Sequence, residues 1–125
     1  MRPAVSGDGR IACWYAEDTA APVWKLAVLG PNGGDPVKLF DLPPFAAPDT
    51  PLRWTPRGDG ITFLGSRAGV TNIYVQYLSG GAPRQLTNFT WGQVYSFGWS
   101  PDGRLVYSRG MSSSDVVLLK DTTRR

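Results

Sequence analysis

Leu52-Arg53-Trp54-Thr55-Pro56-Arg57-Gly58 is written again as Phe97-Gly98-Trp99-Ser100-Pro101-Asp102-Gly103, with the two tryptophans 45 residues apart. A worn copy opens the chain as Ser6-Gly7-Asp8-Gly9-Arg10. A second marker keeps the same beat. Gly33-Gly34-Asp35-Pro36 returns 47 residues later as Gly80-Gly81-Ala82-Pro83. Self-similarity at a period of about 40–50 residues, carried on β-type sequence, is the mark of propeller blades. The expected fold class is all-β, each blade a four-stranded antiparallel meander.

Working outward from the middle copy, short runs rich in Ile, Val, Tyr, Phe, Leu and Thr stand at 51–55, 60–65, 72–78 and 83–88. The same parse puts strands near 3–5, 10–16, 23–29 and 36–42 upstream, and near 94–99, 104–108 and 115–120 downstream. No window sustains apolar residues at i, i+3, i+4 and i+7 without an interrupting Gly or Pro, so no helix is expected. The 125 residues therefore form one partial propeller. Blade 1 spans about 3–42, blade 2 about 51–88 and blade 3 about 94–120, the last lacking its outer strand, for about two and three-quarter blades. Propellers usually have 4–8 blades, so the chain is expected to belong to a larger ring. Unpaired blade edges are expected to drive self-association.

Connections between the first and second strands, Pro56-Arg57-Gly58-Asp59 and Pro101-Asp102-Gly103, read as tight turns, as do Pro31-Asn32-Gly33-Gly34 and Ser79-Gly80-Gly81. Pro fixes φ in such turns and Gly accepts positive φ. Connections between the second and third strands read as longer and variable: 17–22, 67–71 and 110–114. So do the links between blades, 43–50 and 90–93. Alternate turns of a meander fall on opposite ends, so the variable loops share one end, where a rigid scaffold places binding residues. The candidate partner-binding residues there are Arg67, Asn72, Trp91, Arg109 and Asp115. Arg67 and Arg109 are taken as matching positions, each leaving a strand, and Asn72 and Asp115 as their counterparts entering the next. The alternative is that Arg and Asx tie each loop to its own backbone. Trp54 and Trp99 are expected to pack between blades rather than to stack on a ligand.

Composition narrows the function classes. An apolar share of 42% with 18% charged residues is that of a folded globular chain. Net charge is +3, but the thirteen Lys and Arg are scattered rather than gathered in a stripe, which argues against a nucleic-acid surface. With no His, a Ser-His-acid triad and most zinc or copper sites are excluded. Ser112-Ser113-Ser114 has no base to activate it. Neither an Asp-x-Asp-x-Asp calcium loop nor a Gly-x-x-x-x-Gly-Lys phosphate cradle is written here. Asp8 and Asp102 read as turn residues. Cys13, in the run Ile11-Ala12-Cys13-Trp14-Tyr15, reads as a small buried hydrophobe. The expectation is a module that is not an enzyme and takes no cofactor or metal. No membrane span and no signal-peptide pattern is legible.

Residues 72–87 and 99–107, with weaker matches at 6–15, 24–39 and 54–64, resemble the repeats of TolB-like, WD-like β-propellers. The matching elements are Trp-Ser-Pro-Asp-Gly-Arg, an apolar strand, Ile-Tyr-Val, and Gly-Gly-Ala-Pro-Arg-Gln-Leu-Thr. The ending Tyr107-Ser108-Arg109-Gly110 through Asp115-Val116-Val117-Leu118-Leu119 is similar to the last blade of propellers at the C-termini of bacterial serine/threonine protein kinases, and to some winged-helix regulators. That resemblance implies a sensory or protein-binding propeller, commonly extracytoplasmic, with catalysis or DNA binding carried by a separate domain. No kinase signature is present in these residues: there is no Gly-rich loop with a following Lys and no His-Arg-Asp. The first copy departs from the pattern, with Gly7 where Pro is expected and Val5 in place of Trp. The leading expectation is a protein-interaction or sensing module. The alternatives are the propeller gate of a prolyl-oligopeptidase-like peptidase and a carbohydrate- or small-ligand-binding propeller.

Overall fold

Short β-type runs separated by Gly-rich turns can satisfy their backbone groups only by pairing, and the computed structural model shows how they do so. It describes residues 3–16, 20, 23–48, 50–111 and, as backbone alone, 117–123. Three antiparallel sheets follow one another along the chain, and no strand is shared between them. The first holds β1 (Ala4–Val5), β2 (Ile11–Tyr15), β3 (Lys25–Gly30) and β4 (Gly33–Asp41). The second holds β5 (Arg53–Trp54), β6 (Gly60–Arg67), β7 (Val70–Tyr77) and β8 (Arg84–Gln85). The third holds β9 (Gln93–Trp99), β10 (Arg104–Gly110) and β11 (Val117–Thr123). This is an incomplete propeller of meander blades, as the repeat implied.

The tight turn is built the same way three times. In each, a glycine N–H donates to the carbonyl three residues back: Gly9 to Ser6, Gly58 to Thr55 and Gly103 to Ser100, at 2.9–3.0 Å. Each glycine has positive φ, which an L side chain resists. The hydroxyl of Ser6, Thr55 or Ser100 then accepts the N–H of the residue entering the next strand, Arg10, Gly60 or Arg104, at 3.0–3.1 Å. The first copy lacks Pro but keeps this geometry, because a hydroxyl and a glycine are enough to close it.

One expected loop is absent. Residues 67–71 were expected to be a variable loop, but β6 and β7 pair as far as Arg67↔Val70. The connection is Ala68-Gly69 alone, both with positive φ (51° and 78°). Two such residues make the hairpin turn whose twist matches that of the flanking strands. The outer strand of the second sheet is also shorter than the expected 83–88, pairing only at Arg84 and Gln85.

The core lies in the two clefts between sheets. Alternation sends Phe63 and its ladder partner Tyr74 to one face of the second sheet, and Leu64 and Ile73 to the other. The first pair joins Ala12, Trp14, Leu26, Val28, Leu52 and Ile61 of the first cleft. The second joins Val94, Phe97, Leu105 and Tyr107. Trp54 and Trp99 do pack between blades, but both keep part of their surface in solvent. Their indole N–H groups reach across the clefts, Trp54 to the Ala4 carbonyl at 3.0 Å and Trp99 to the Thr62 hydroxyl at 3.4 Å. Trp14 is the fully buried tryptophan, 1% exposed. Cys13 is half-buried on the other face of the first sheet, where burial pushes its thiol pKa up. Val5 and Leu39 share that face and are exposed.

Candidate loop-end site

The links between blades are held at the loop end by a repeated aromatic-cation contact. In the first link, Phe45 accepts the Ser66 N–H at 2.8 Å through its carbonyl, and Ala47 N–H donates to Leu64 at 3.0 Å. The Phe45 ring lies 4.8 Å from that of Tyr74, with the Arg67 guanidinium 4.0 Å above it. In the second link Phe89 takes the place of Phe45, against Tyr107 at 5.2 Å, with the Arg109 guanidinium 3.7 Å from its centre.

Arg67 and Arg109 nevertheless do not occupy matching strand positions, which corrects the sequence expectation. Trp54 pairs with Ile61 and Trp99 with Leu105. Four residues on from these partners stand Gly65 and Arg109. The offset changes because the second tight turn is one residue longer than the third. At Gly65 a Cβ would stand 2.8 Å from both Phe45 and Tyr74, so the ring itself fills the space. At Arg109 the space is filled by guanidinium instead.

Arg109 is not a surface residue. It is 7% exposed, on the face of β10 that also carries Leu105 and Tyr107. Its guanidinium lies between the Phe89 ring and the Trp91 ring, which is 4.1 Å away. Its Nη2 donates to the Trp91 carbonyl. Its Nε is buried without a hydrogen-bond partner among the described residues. The pattern Leu105-x-Tyr107-x-Arg109 carried this placement, because residues two apart on a strand face the same way.

Asn72 is likewise occupied. Buried on β7, it accepts the Phe89 N–H at 2.7 Å and the Thr87 hydroxyl at 2.9 Å through Oδ1. Its Nδ2 donates to the Phe89 carbonyl at 3.3 Å. It ties the second link to the second sheet. Asp115 lies outside the described residues.

What remains outward-facing is Trp91, 42% exposed, with Tyr95 and Met111 at 44% each. The Tyr95 hydroxyl donates to the Met111 carbonyl at 2.9 Å, joining the start of the third sheet to the end of β10. Gly92 lets the link pass close under this group. A Cβ there would stand 2.9 Å from the Gly110 carbonyl oxygen, and its own carbonyl accepts Thr71 N–H at 3.1 Å. The result is an exposed Trp91 ring standing on a buried, stacked cation, with Tyr95 tied to Met111 at the end of β10. Of the expected residues, Trp91, Arg109 and Asn72 meet at this one junction, and Arg67 belongs to the other link. Tyr95, Met111 and Phe89 went unnoticed in the sequence, since only folding gathers them.

No family model and no curated protein matches the chain. Solved structures do. TolB from Acinetobacter baumannii superposes with a TM-score of 0.67 at 20% identity, over 95% of this chain and 28% of that one. The putative TolB from Agrobacterium tumefaciens gives 0.64 at 20% identity, over 95% and 43%. The β-propeller domain of the Trilobed protease from Pyrococcus furiosus, described as having an open velcro topology, gives 0.53 at 14% identity, over 99% and 42%. These likenesses establish the propeller fold. The chain spans less than half the length of each of the three.

Proposed function

We propose that this chain is a non-catalytic, protein-binding part of a larger β-propeller protein, and that the partner docks at the loop end on Trp91, Tyr95 and Met111. The observation that carries the proposal is the exposed Trp91 ring stacked on the buried Arg109, at the same end of the sheets as the exposed Tyr95 and Met111. Trp, Tyr, Met and Arg are the residues enriched at the centres of protein interfaces. A link already held by Arg109, Asn72 and Gly92 loses little conformational freedom when a partner arrives at Trp91. The resemblance to propellers of bacterial signalling proteins supports a sensory role outside the cytoplasm. The likeness to a protease's propeller is one of fold, and among the described residues no feature of the loop end favours a peptidase gate.

The test places a photo-crosslinking amino acid at Tyr95 in the native cell, with and without Trp91→Ala. One polypeptide should be captured, and capture should fall at least about thirtyfold with Trp91→Ala, as for an interface anchor of about 2 kcal/mol. Trp91→Ala also uncovers one face of the Arg109 guanidinium, so its urea midpoint is measured alongside and the variant should remain folded under the conditions of the cross-linking. Cross-linking indifferent to Trp91→Ala would remove the site from this patch. Saturable binding of an oligosaccharide panel at Trp91, with no polypeptide captured, would replace the protein partner by a sugar.

A further inference from the structure

The opposite, tight-turn end holds a cleft that can be read by comparing two junctions of the same chain. Between the first and second sheets, Arg10 lays its guanidinium 4.8 Å from the centre of the Trp54 ring. Its Nη2 donates to the Gly58 carbonyl at 2.9 Å. The counterparts between the second and third sheets are Trp99 for Trp54 and Gly103 for Gly58, fixed by the ladder and by the matching turn bonds. The counterpart of Arg10 is Gly60. Each directly precedes the isoleucine that pairs with the inner strand, Val5↔Ile11 in one sheet and Trp54↔Ile61 in the other.

Gly60 brings no side chain to the cleft, and a cavity of about 410 Å³ opens there, lined by Thr55, Asp59, Tyr77, Trp99, Asp102 and Gly103 among others. The chain cannot readily fill it from position 60. A Cβ on Gly60 would stand 3.0 Å from Val75 Cγ2 and 3.1 Å from Tyr77 Cδ1. Tyr77, the ladder partner of Gly60, adds a second aromatic wall. Asp59 is held by the Thr55 hydroxyl at 2.6 Å, and Asp102 by the Ser100 hydroxyl and by Arg104 at 3.4 Å. Arg57 also lines the cavity and is exposed to solvent. Two aromatic walls and two carboxylates are complementary to a flat cation. Guanidinium stacks on aromatic faces and offers planar donors to carboxylates, whereas ammonium is a compact, strongly hydrated charge.

We infer that this cleft receives the guanidinium of an arginine side chain from a polypeptide partner, stacked on Trp99 as Arg10 stacks on Trp54. The inference is independent of the loop-end site, so either can fail alone. The probe is the capped tripeptide Gly-Arg-Gly, titrated into the full chain while the indole N–H resonances are followed, Trp99 being assigned with Trp99→Phe. A single side chain should bind with a Kd on the order of 1 mM, saturably shifting the Trp99 resonance and sparing that of Trp91. The Lys tripeptide should bind several-fold more weakly, and the neutral citrulline tripeptide should leave the resonance in place. Asp59→Asn and Asp102→Asn should each weaken the Arg tripeptide up to about fivefold, the range of a partly exposed ion pair. An equal response to citrulline, an unchanged Kd in both Asn variants, or no saturable shift at Trp99 up to about ten times the expected Kd would each overturn the inference. Free arginine binding at least about tenfold more tightly than the tripeptide would also overturn it, by making the ligand a free amino acid rather than a polypeptide side chain.

Discussion

Replacing Asn72 by Ala separates a clamp from a contact residue. Its amide makes three hydrogen bonds within the second link: from the Phe89 N–H at 2.7 Å, from the Thr87 hydroxyl at 2.9 Å, and to the Phe89 carbonyl at 3.3 Å. Truncation removes all three and leaves their partners without a substitute. A buried polar group left unpaired costs about 1–3 kcal/mol. The Phe89 N–H is the most exposed to this loss, because the Thr87 hydroxyl still accepts the Ile73 N–H at 2.9 Å. The sum comes to about 2–4 kcal/mol, a large share of the ~5–15 kcal/mol that holds a domain of this kind together. For a chain of this length that lowers Tm by about 10 °C. Urea unfolding followed by tryptophan fluorescence and by circular dichroism measures it, as a fall in midpoint at constant slope. Asn72→Asp should recover part of the loss, since a carboxylate still accepts from Phe89 and Thr87 but cannot donate to the Phe89 carbonyl. A midpoint within about 0.5 kcal/mol of the parent, as for an ordinary surface change, would refute the clamp and return Asn72 to the partner surface.

Trp14→Ala should cost about 3–5 kcal/mol as a buried aromatic truncation, because the ring is 1% exposed and its N–H is bound to the Thr50 carbonyl at 2.9 Å. Trp54→Ala and Trp99→Ala should cost distinctly less in the same urea assay, since both rings are part-exposed; an equal loss at all three would mean that solvent does not reach the clefts. The Ser6 hydroxyl and Arg10 hold the Asp8 carboxyl at about 2, below its ordinary 3.8, and Ser100 lowers Asp102 in the same sense. A lowered folded pKa contributes stability above the unfolded value that disappears as pH falls through 3.8 toward about 2. The Asp8→Asn, Asp102→Asn double variant should therefore show a shallower decline of the midpoint over that window; an unchanged decline would show that the turns do not sense protonation.

The turns and sheets were legible because their causes are local. A Ser or Thr hydroxyl three residues before a glycine closes the same turn wherever it is written, and β-rich runs on either side must then pair. The loop at 67–71 misled because Arg-Ala-Gly-Val-Thr has loop composition. Ala68 at φ 51° is a conformation that alanine seldom adopts, and the pairing Arg67↔Val70 imposes it. Arg109 misled for a different reason. Matched from the loop it resembles Arg67, but counted from the tryptophan it is the equivalent of Gly65, and strand alternation then places it inside. The cleft over Trp99 was beyond reach, because it depends on knowing that Gly60 lies opposite Tyr77 in the ladder.

The separation of the strands into three sheets with no shared member gives this molecule the energetics of a short one-dimensional lattice. Each sheet is a site with its own internal free energy, and each cleft is a coupling between neighbours. The middle site alone has both couplings satisfied within this chain, through Phe63 and Tyr74 on one face and Leu64 and Ile73 on the other. Opening fluctuations should therefore begin at the terminal sheets and reach the middle one last, in the graded order set by local contact density. An addition to either end deepens the middle indirectly, by steadying its neighbour.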